Sequence, residues 1–97
     1  MNYRWHSGAL DDLYEACFFY FREDPLIEER LASIIEDAID DIVARPESWP
    51  FISEPVRRRV IDVFPYSILY VVLESHVLML AVAHHSRHPD YWVDRLG

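Results

Sequence analysis

Apolar residues in the first half of the chain recur at the spacing of amphipathic helices. The first helix is predicted to follow Ser7, its expected cap. The side chains expected to face the core from this helix are Leu10, Leu13, Tyr14, Cys17, Phe18 and Phe21. Asp24 and Pro25 predict a second helix start, because Asp caps helices and Pro is tolerated at the first helical position. Its apolar stripe is Leu31, Ile34, Ile35, Ala38, Ile39 and Ile42. The helix should end before Pro46, so the two helices form a hairpin.

The remaining segments have the patterns of loops and β-strands. Residues 2–6 alternate as a short strand does, and residues 46–55, with three prolines, predict a loop. Three β-rich runs follow at residues 57–64, 67–73 and 77–84, and the last two are apolar on both faces. The predicted order is β-α-α-β-β-β. The fold class is therefore α+β, with an N-terminal helical hairpin packed on a small antiparallel sheet in one domain spanning residues 1–97.

The net charge of −8 is distributed unevenly along the chain. Residues 1–48 hold twelve Asp and Glu against four Arg, whereas residues 49–97 hold five of each kind and four of the five histidines. The chain has no lysine. This balance argues against a general nucleic-acid binder, which is normally basic, but leaves room for a local cationic face on the C-terminal half.

The cysteine count and the distribution of apolar residues indicate where in the cell the protein is located. The single cysteine, Cys17, rules out an internal disulfide framework and fits a reducing compartment. The first residues have no apolar segment typical of a secretory signal, and polar residues 74–76 interrupt the longest apolar run. We therefore expect a cytoplasmic protein without a membrane partner.

Two segments carry a family resemblance: VRRRVIDVFPYSILYVV at residues 56–72 and LAVAHHSRHPDYWVDR at residues 80–95. The Arg-rich strand leading into FPY, the strand after it and the AVAHxxRxPxYW ending resemble the RelE/ParE superfamily of type II toxin–antitoxin toxins. The helical hairpin and the Pro-rich connector match in order and length, so the resemblance covers essentially the whole chain. It implies a small bacterial toxin neutralised by a cognate antitoxin. RelE-like members cut mRNA on the ribosome, whereas ParE-like members poison DNA gyrase and are not nucleases.

Three adjacent arginines are the first candidate binding residues. On a strand, Arg57 and Arg59 share one face and Arg58 takes the other. Their guanidinium groups could hold phosphate or meet an acidic antitoxin segment. The structural alternative is an edge strand protected by charge, with the arginines paired to the acidic helices.

The C-terminal cluster supplies the candidate catalytic residues. Cleavage of RNA through its 2′-hydroxyl needs a base, a cation beside the phosphate and an acid, and His88, Arg87 and Tyr91 could fill these roles. The resemblance places Arg87 and Tyr91 where RelE-like enzymes keep an arginine and a tyrosine. His85 is a further binding candidate. RelE-like enzymes also rely on lysines, which this chain lacks.

Other features of the same cluster have structural explanations. His84 would end a buried strand and bond the tail, and Trp92 would fold back as a lid on the core. A metal site is disfavoured because His84 and His85 point to opposite faces and no cysteine pair supports them, and no cofactor is expected. Cys17 is expected to be inert core.

Taken together, the residues and the resemblance favour a toxin that acts by binding a protein target such as DNA gyrase. The alternatives are a metal-independent, ribosome-dependent mRNA endonuclease and an inactive toxin-like binding module. We expect the antitoxin segment to be acidic where it meets the three arginines and basic where it crosses the helices.

Overall fold

Two helices cover one face of a five-stranded sheet in the computed structural model, which describes all 97 residues. The elements are β1 (Asn2–Trp5), α1 (Ser7–Glu23), α2 (Pro25–Ala44), β2 (Phe51–Ser53), β3 (Val56–Val60), β4 (Tyr66–Val72), β5 (His76–His84) and a 3-10 helix (Val93–Leu96). The sheet order is β1-β5-β4-β3-β2. The α+β fold class, with a helical hairpin on a sheet, is confirmed. No helix is long and apolar enough to cross a membrane.

The sheet differs from the prediction in two respects. The segment predicted as a loop contains β2, which pairs with β3 and adds a fourth strand after the hairpin. In addition, β1 runs parallel to β5, whereas the other pairs are antiparallel. A three-residue strand flanked by Pro50 and Pro55 is too short and too proline-rich to be recognised from its pattern.

The second helix forms as predicted. Asp24 is its cap, with Oδ1 accepting a hydrogen bond from the Leu26 backbone N–H at 2.9 Å, and Pro25 is its first residue. The buried residues are Leu31, Ile35, Ala38, Ile39 and Ile42, and Ile34 packs partly buried against them. This stripe anchors the hairpin on the sheet.

The prediction for the first helix is wrong in its cap and in its buried face. His6 is the cap, because its Nδ1 accepts from the Gly8 backbone N–H at 2.9 Å and Ser7 is already helical. The buried positions are Ala9, Asp12 and Ala16. Small alanines let the helix approach the sheet closely, and larger side chains on that face would hold it away.

Three of the aromatic residues expected in the core are instead on the surface. The exposed fractions are 64% for Tyr14, 63% for Phe18 and 53% for Phe21. These residues follow one another at spacings of four and three, so they lie on one helix face. We call this surface the aromatic ridge. Leu13 and Cys17, from the same predicted stripe, do pack against the core.

An irregularity in β5 shapes the other face of the sheet. Leu69 pairs with Ala81 while Tyr70 pairs with Met79, so Leu80 is an extra residue in the ladder. Leu80 and Ala81 therefore both join the cluster on the side away from the helices. Trp92, only 5% exposed, covers this cluster, which confirms the prediction that the tail folds back as a lid.

The edge of β5 is only partly covered by β1. Pairing between these strands stops at Trp5 and Met79, so the second half of β5 has no strand on this side and pairs only with β4 on the other. Its Val82 N–H donates instead to Oδ2 of Asp12 at 3.1 Å, and its Leu80 carbonyl accepts from Nη1 of Arg95 at 3.1 Å. A helix residue and a tail residue thus replace the missing strand, since buried backbone groups require partners.

Strand β3 ends earlier than predicted, and a tight turn follows in which Val63 has φ of 73°. A β-branched residue is strained in this left-handed region by about 1–2 kcal/mol. Because Val63 is 70% exposed, Val63→Asn loses little packing and should raise the free energy of unfolding by about 1 kcal/mol. Val63→Ala, which lacks the short polar side chain that lets asparagine hydrogen-bond locally in this region, should gain less. A lower urea midpoint for the Asn variant would contradict this explanation.

Candidate functional site

The tail that follows β5 returns across the sheet face opposite the helices. The His85 N–H donates to the Pro65 carbonyl and the Arg87 N–H to the His84 carbonyl, which turns the chain at the sheet rim. Between this tail and strands β2 to β5 lies an open cavity of about 230 Å³. We call it the tail cleft. It is lined by Ile52, Arg58, Ser67, Leu69, Ala83, His84, His85, Arg87, His88, Pro89, Tyr91 and Trp92.

Five of the seven predicted site residues meet in the tail cleft: Arg58, His85, Arg87, His88 and Tyr91. None of the residues lining the cleft is acidic. The two ion pairs of the structure are formed by other arginines, so Arg58 and Arg87 have no carboxylate partner. The Arg87 guanidinium carbon lies 4.0 Å from the centre of the Tyr91 ring, a cation–π contact. A cationic rim therefore exists on this acidic protein.

The histidines at the rim are each held by a local contact. His85 Nε2 is 3.0 Å from Ser67 Oγ, and His88 Nδ1 accepts from the Asp90 N–H at 3.1 Å. His84 Nδ1 accepts from the Ser86 N–H at 3.0 Å, which confirms its predicted bond to the tail backbone. No three His, Cys, Asp or Glu side chains come close enough together to hold a metal ion.

The Tyr91 hydroxyl points away from the rim to the helix side. It donates to Oδ2 of Asp12 at 3.0 Å. Burial, and then the charge and hydrogen bond of Asp12, raise the pKa of Tyr91 above its usual value of 10.0, against smaller opposing contributions from Arg95 and Arg87. The phenolic proton of Tyr91 is thus held in a hydrogen bond to the buried carboxylate of Asp12.

Asp12 joins the first helix to the tail. Its side chain accepts from Arg95 Nη1 at 2.7 Å and Nη2 at 3.3 Å, in addition to the Val82 N–H and the Tyr91 hydroxyl. We call Asp12, Tyr91 and Arg95 the tail clasp. The hydrogen bond to Asp12 raises the pKa of Arg95, which outweighs the opposing effect of burial. Asp12 is only 7% exposed, yet its four contacts satisfy a charge that would otherwise be costly to bury.

Gly8 leaves the space through which Arg95 reaches Asp12. A Cβ at this position would lie 2.5 Å from Nε and 2.7 Å from Cζ of Arg95. Gly8→Ala should therefore displace Arg95 and lower the free energy of unfolding by about 1–2 kcal/mol. In an Arg95→Ala background it should instead raise it by up to about 1 kcal/mol, because Ala is the better helix former. A double-mutant cycle measures this reversal; equal effects in both backgrounds would exclude the contact.

Arg57 and Arg59 lie on the helix side of the sheet and make internal contacts. Arg57 Nη1 donates to the Trp49 carbonyl at 2.7 Å and fixes the connector before β2. Arg59 Nη2 bonds Asp41 of α2 at 2.8 Å. The predicted division of the three arginines between two faces is confirmed. Only Arg58 shares the tail cleft with the histidines. A binding role for any of the three stays a prediction.

Sequence reasoning did not find the tail clasp or the aromatic ridge. Neither Asp12 nor Arg95 was among the predicted site residues, and an acid such as Asp12 is common near the start of a helix. The available signal was Asp12 between Ala9 and Ala16, since a charge on a face of small residues needs a buried partner. The ridge was missed because aromatic residues at helical spacing usually face a core.

The fold agrees with the resemblance to RelE/ParE toxins, and comparison with known proteins supports membership of that class. Residues 3–89 match the family model described as the ParE toxin of the type II toxin–antitoxin system parDE. The chain belongs to the ParE toxin family, as its sequence pattern predicted. It is 27% identical over 88 residues to Toxin ParE2 of Mycobacterium tuberculosis, and the match covers 90% of this chain and 84% of that one. The same values hold for the protein from strain CDC 1551 / Oshkosh and from strain ATCC 25618 / H37Rv.

A solved structure has the same fold. It is described as the chromosomal ParDE toxin–antitoxin system from P. aeruginosa, and it superposes with a TM-score of 0.74 at 19% sequence identity. The match covers 87% of this chain and 95% of the other. At this identity the likeness concerns the fold alone.

Proposed function

We propose that this toxin stops bacterial growth by binding a protein target, DNA gyrase, and that a cognate antitoxin neutralises it by covering the aromatic ridge. The observation that carries the choice of mode is the hydrogen bond from the Tyr91 hydroxyl to Asp12. A general acid has to offer its proton to the leaving oxygen, and its pKa should lie near the working pH. Tyr91 meets neither condition, since its proton is held by Asp12 and its pKa is raised.

Charge supports the same mode. The chain has a net charge of −8 and no lysine. Binding to ribosomal RNA depends on neutralising many phosphates with Lys and Arg, which this surface does not provide. Binding to a protein target does not require the neutralisation of phosphates. Membership of the ParE family favours gyrase among the targets of the superfamily.

The antitoxin contact follows from the aromatic ridge and the charge of the hairpin. Tyr14, Phe18 and Phe21 expose apolar surface that a monomer would normally bury. Around them, residues 7–44 hold eleven Asp and Glu against two Arg. The matching partner is an amphipathic helix with an apolar face flanked by Lys and Arg.

Purified components test the mode of action directly. The chain is added to DNA gyrase with relaxed plasmid and, separately, to translating ribosomes with mRNA. We expect loss of supercoiling and accumulation of gyrase–DNA cleavage complexes, with intact mRNA. Cleavage of mRNA on the ribosome without an effect on gyrase would overturn the proposal.

The endonuclease remains the second candidate because of one observation, the gathering of Arg58, His85, Arg87 and His88 in a cleft without carboxylates. Such groups suit a phosphate and its transition state. On this hypothesis Arg87→Ala or Tyr91→Phe abolishes cutting while the fold remains intact. On the gyrase hypothesis neither substitution creates or removes mRNA cleavage, because there is none.

A further inference from the structure

The tail cleft lies on the opposite side of the sheet from the helices and is not used by the proposed antitoxin contact. Arg58 projects into it from β3, and Arg87 and His88 project from the tail. Its apolar lining consists of Ile52, Leu69, Ala83, Pro89 and Trp92. The site thus has positive groups at its rim and hydrocarbon at its floor.

We propose that the tail cleft binds an acidic peptide segment of a protein partner. A carboxylate of the segment lies between Arg58 and Arg87, and a neighbouring apolar side chain contacts the floor. Guanidinium groups are suited to this role because their planar donors bind carboxylates in pairs. Both arginines have the donors available, since neither forms an ion pair within the chain. A volume of about 230 Å³ accommodates side chains rather than a large ligand.

The aromatic residues of the cleft favour a peptide over a nucleic acid. Single-stranded nucleic acid binds by stacking bases on open aromatic faces. Trp92 is buried in the core and offers no such face. The Tyr91 ring is already contacted by two guanidinium groups, Arg87 at 4.0 Å and Arg95 at 4.9 Å. A polyanion would also meet the acidic remainder of the surface, whereas a single carboxylate meets only the rim.

The test uses the purified chain and a fluorescein-labelled heptapeptide, acetylated at its N-terminus and amidated at its C-terminus, in which one glutamate lies beside a leucine and the other residues are serine. Its control is the same peptide with glutamine in place of glutamate, and the competing probe is a labelled ten-nucleotide oligouridylate. Fluorescence anisotropy gives the affinities, and NMR shifts of His85 and His88 locate the contact. Because neither antitoxin nor gyrase is present, the result is independent of the proposed function.

We expect the glutamate peptide to bind more tightly than the glutamine peptide and the oligonucleotide. Arg58→Gln and Arg87→Gln should each weaken binding about tenfold. Arg30→Gln, which removes an exposed arginine of α2, should change it less than about twofold. Equal affinity for the two peptides, tighter binding of the oligonucleotide, or no effect of the cleft variants would overturn the proposal.

Discussion

Replacing Asp12 by alanine is expected to lower the free energy of unfolding by about 3–5 kcal/mol. The substitution leaves the Arg95 guanidinium partly buried without its carboxylate. It also removes the acceptor from the Val82 N–H and the Tyr91 hydroxyl. Since typical domains have stabilities of about 5–15 kcal/mol, the tail and the edge of β5 should loosen first and the whole chain should become marginal.

Asp11 provides a matched control, because it is the neighbouring carboxylate and is exposed. Asp11→Ala should change stability by less than about 0.5 kcal/mol. Urea unfolding followed by tryptophan fluorescence measures both variants, and amide exchange at Val82 reports the local opening. Equal effects of the two substitutions would show that the tail clasp does not hold the tail.

The double substitution of Phe18 and Phe21 by serine is expected to weaken antitoxin binding by about a thousandfold. Aromatic residues buried at the centre of an interface each contribute about 2 kcal/mol or more, and two such losses correspond to this factor. Both side chains are more than half exposed in the chain alone. The stability of the free toxin should therefore change little, which separates a binding defect from a folding defect.

Phe19→Ser is the control for the ridge, since Phe19 is an equally exposed phenylalanine of the same helix on a different flank, beside Tyr20. It should weaken antitoxin binding far less than the double variant. Calorimetric titration with the antitoxin measures both affinities. If the ridge variant binds as tightly as the unmodified toxin, the antitoxin covers another surface.

The parts of the fold that follow local rules were predictable. The second helix has a cap, a proline at its first position and a stripe without polar interruptions, so its start and buried face come directly from the sequence. The strands β4 and β5 are continuous apolar runs, and they form the centre of the sheet. In these segments local preference and tertiary packing agree.

The first helix shows where such reasoning fails. Hydrophobicity favours burying Phe18 and Phe21, but the sheet accepts the face with Ala9, Asp12 and Ala16. Two tertiary facts decide this: the close approach that alanine permits, and the Val82 N–H left free where β1 ends. Neither can be read from one segment. A helix with aromatic residues on its outer face departs from the usual pattern, and the proposed antitoxin contact would explain it.

The candidate site was predictable in composition but not in geometry. Sequence alternation separated Arg58 from Arg57 and Arg59, and the tail residues were recognised as one group. The direction of the Tyr91 hydroxyl depends on Asp12, which lies 79 positions away in the chain. A contact of that separation has no periodic signature, and it changes which chemistry the tyrosine can perform.

We expect the toxin to act on gyrase and not on mRNA. The most direct test of this expectation is induction of this chain alone in bacteria, with growth, mRNA 5′ ends and gyrase-linked DNA breaks recorded in the same samples. We expect growth arrest with trapped gyrase–DNA breaks and unchanged mRNA ends. New 5′ ends on translated messages without such breaks would contradict it in favour of the endonuclease, and normal growth with neither lesion would contradict it in favour of an inactive binding module.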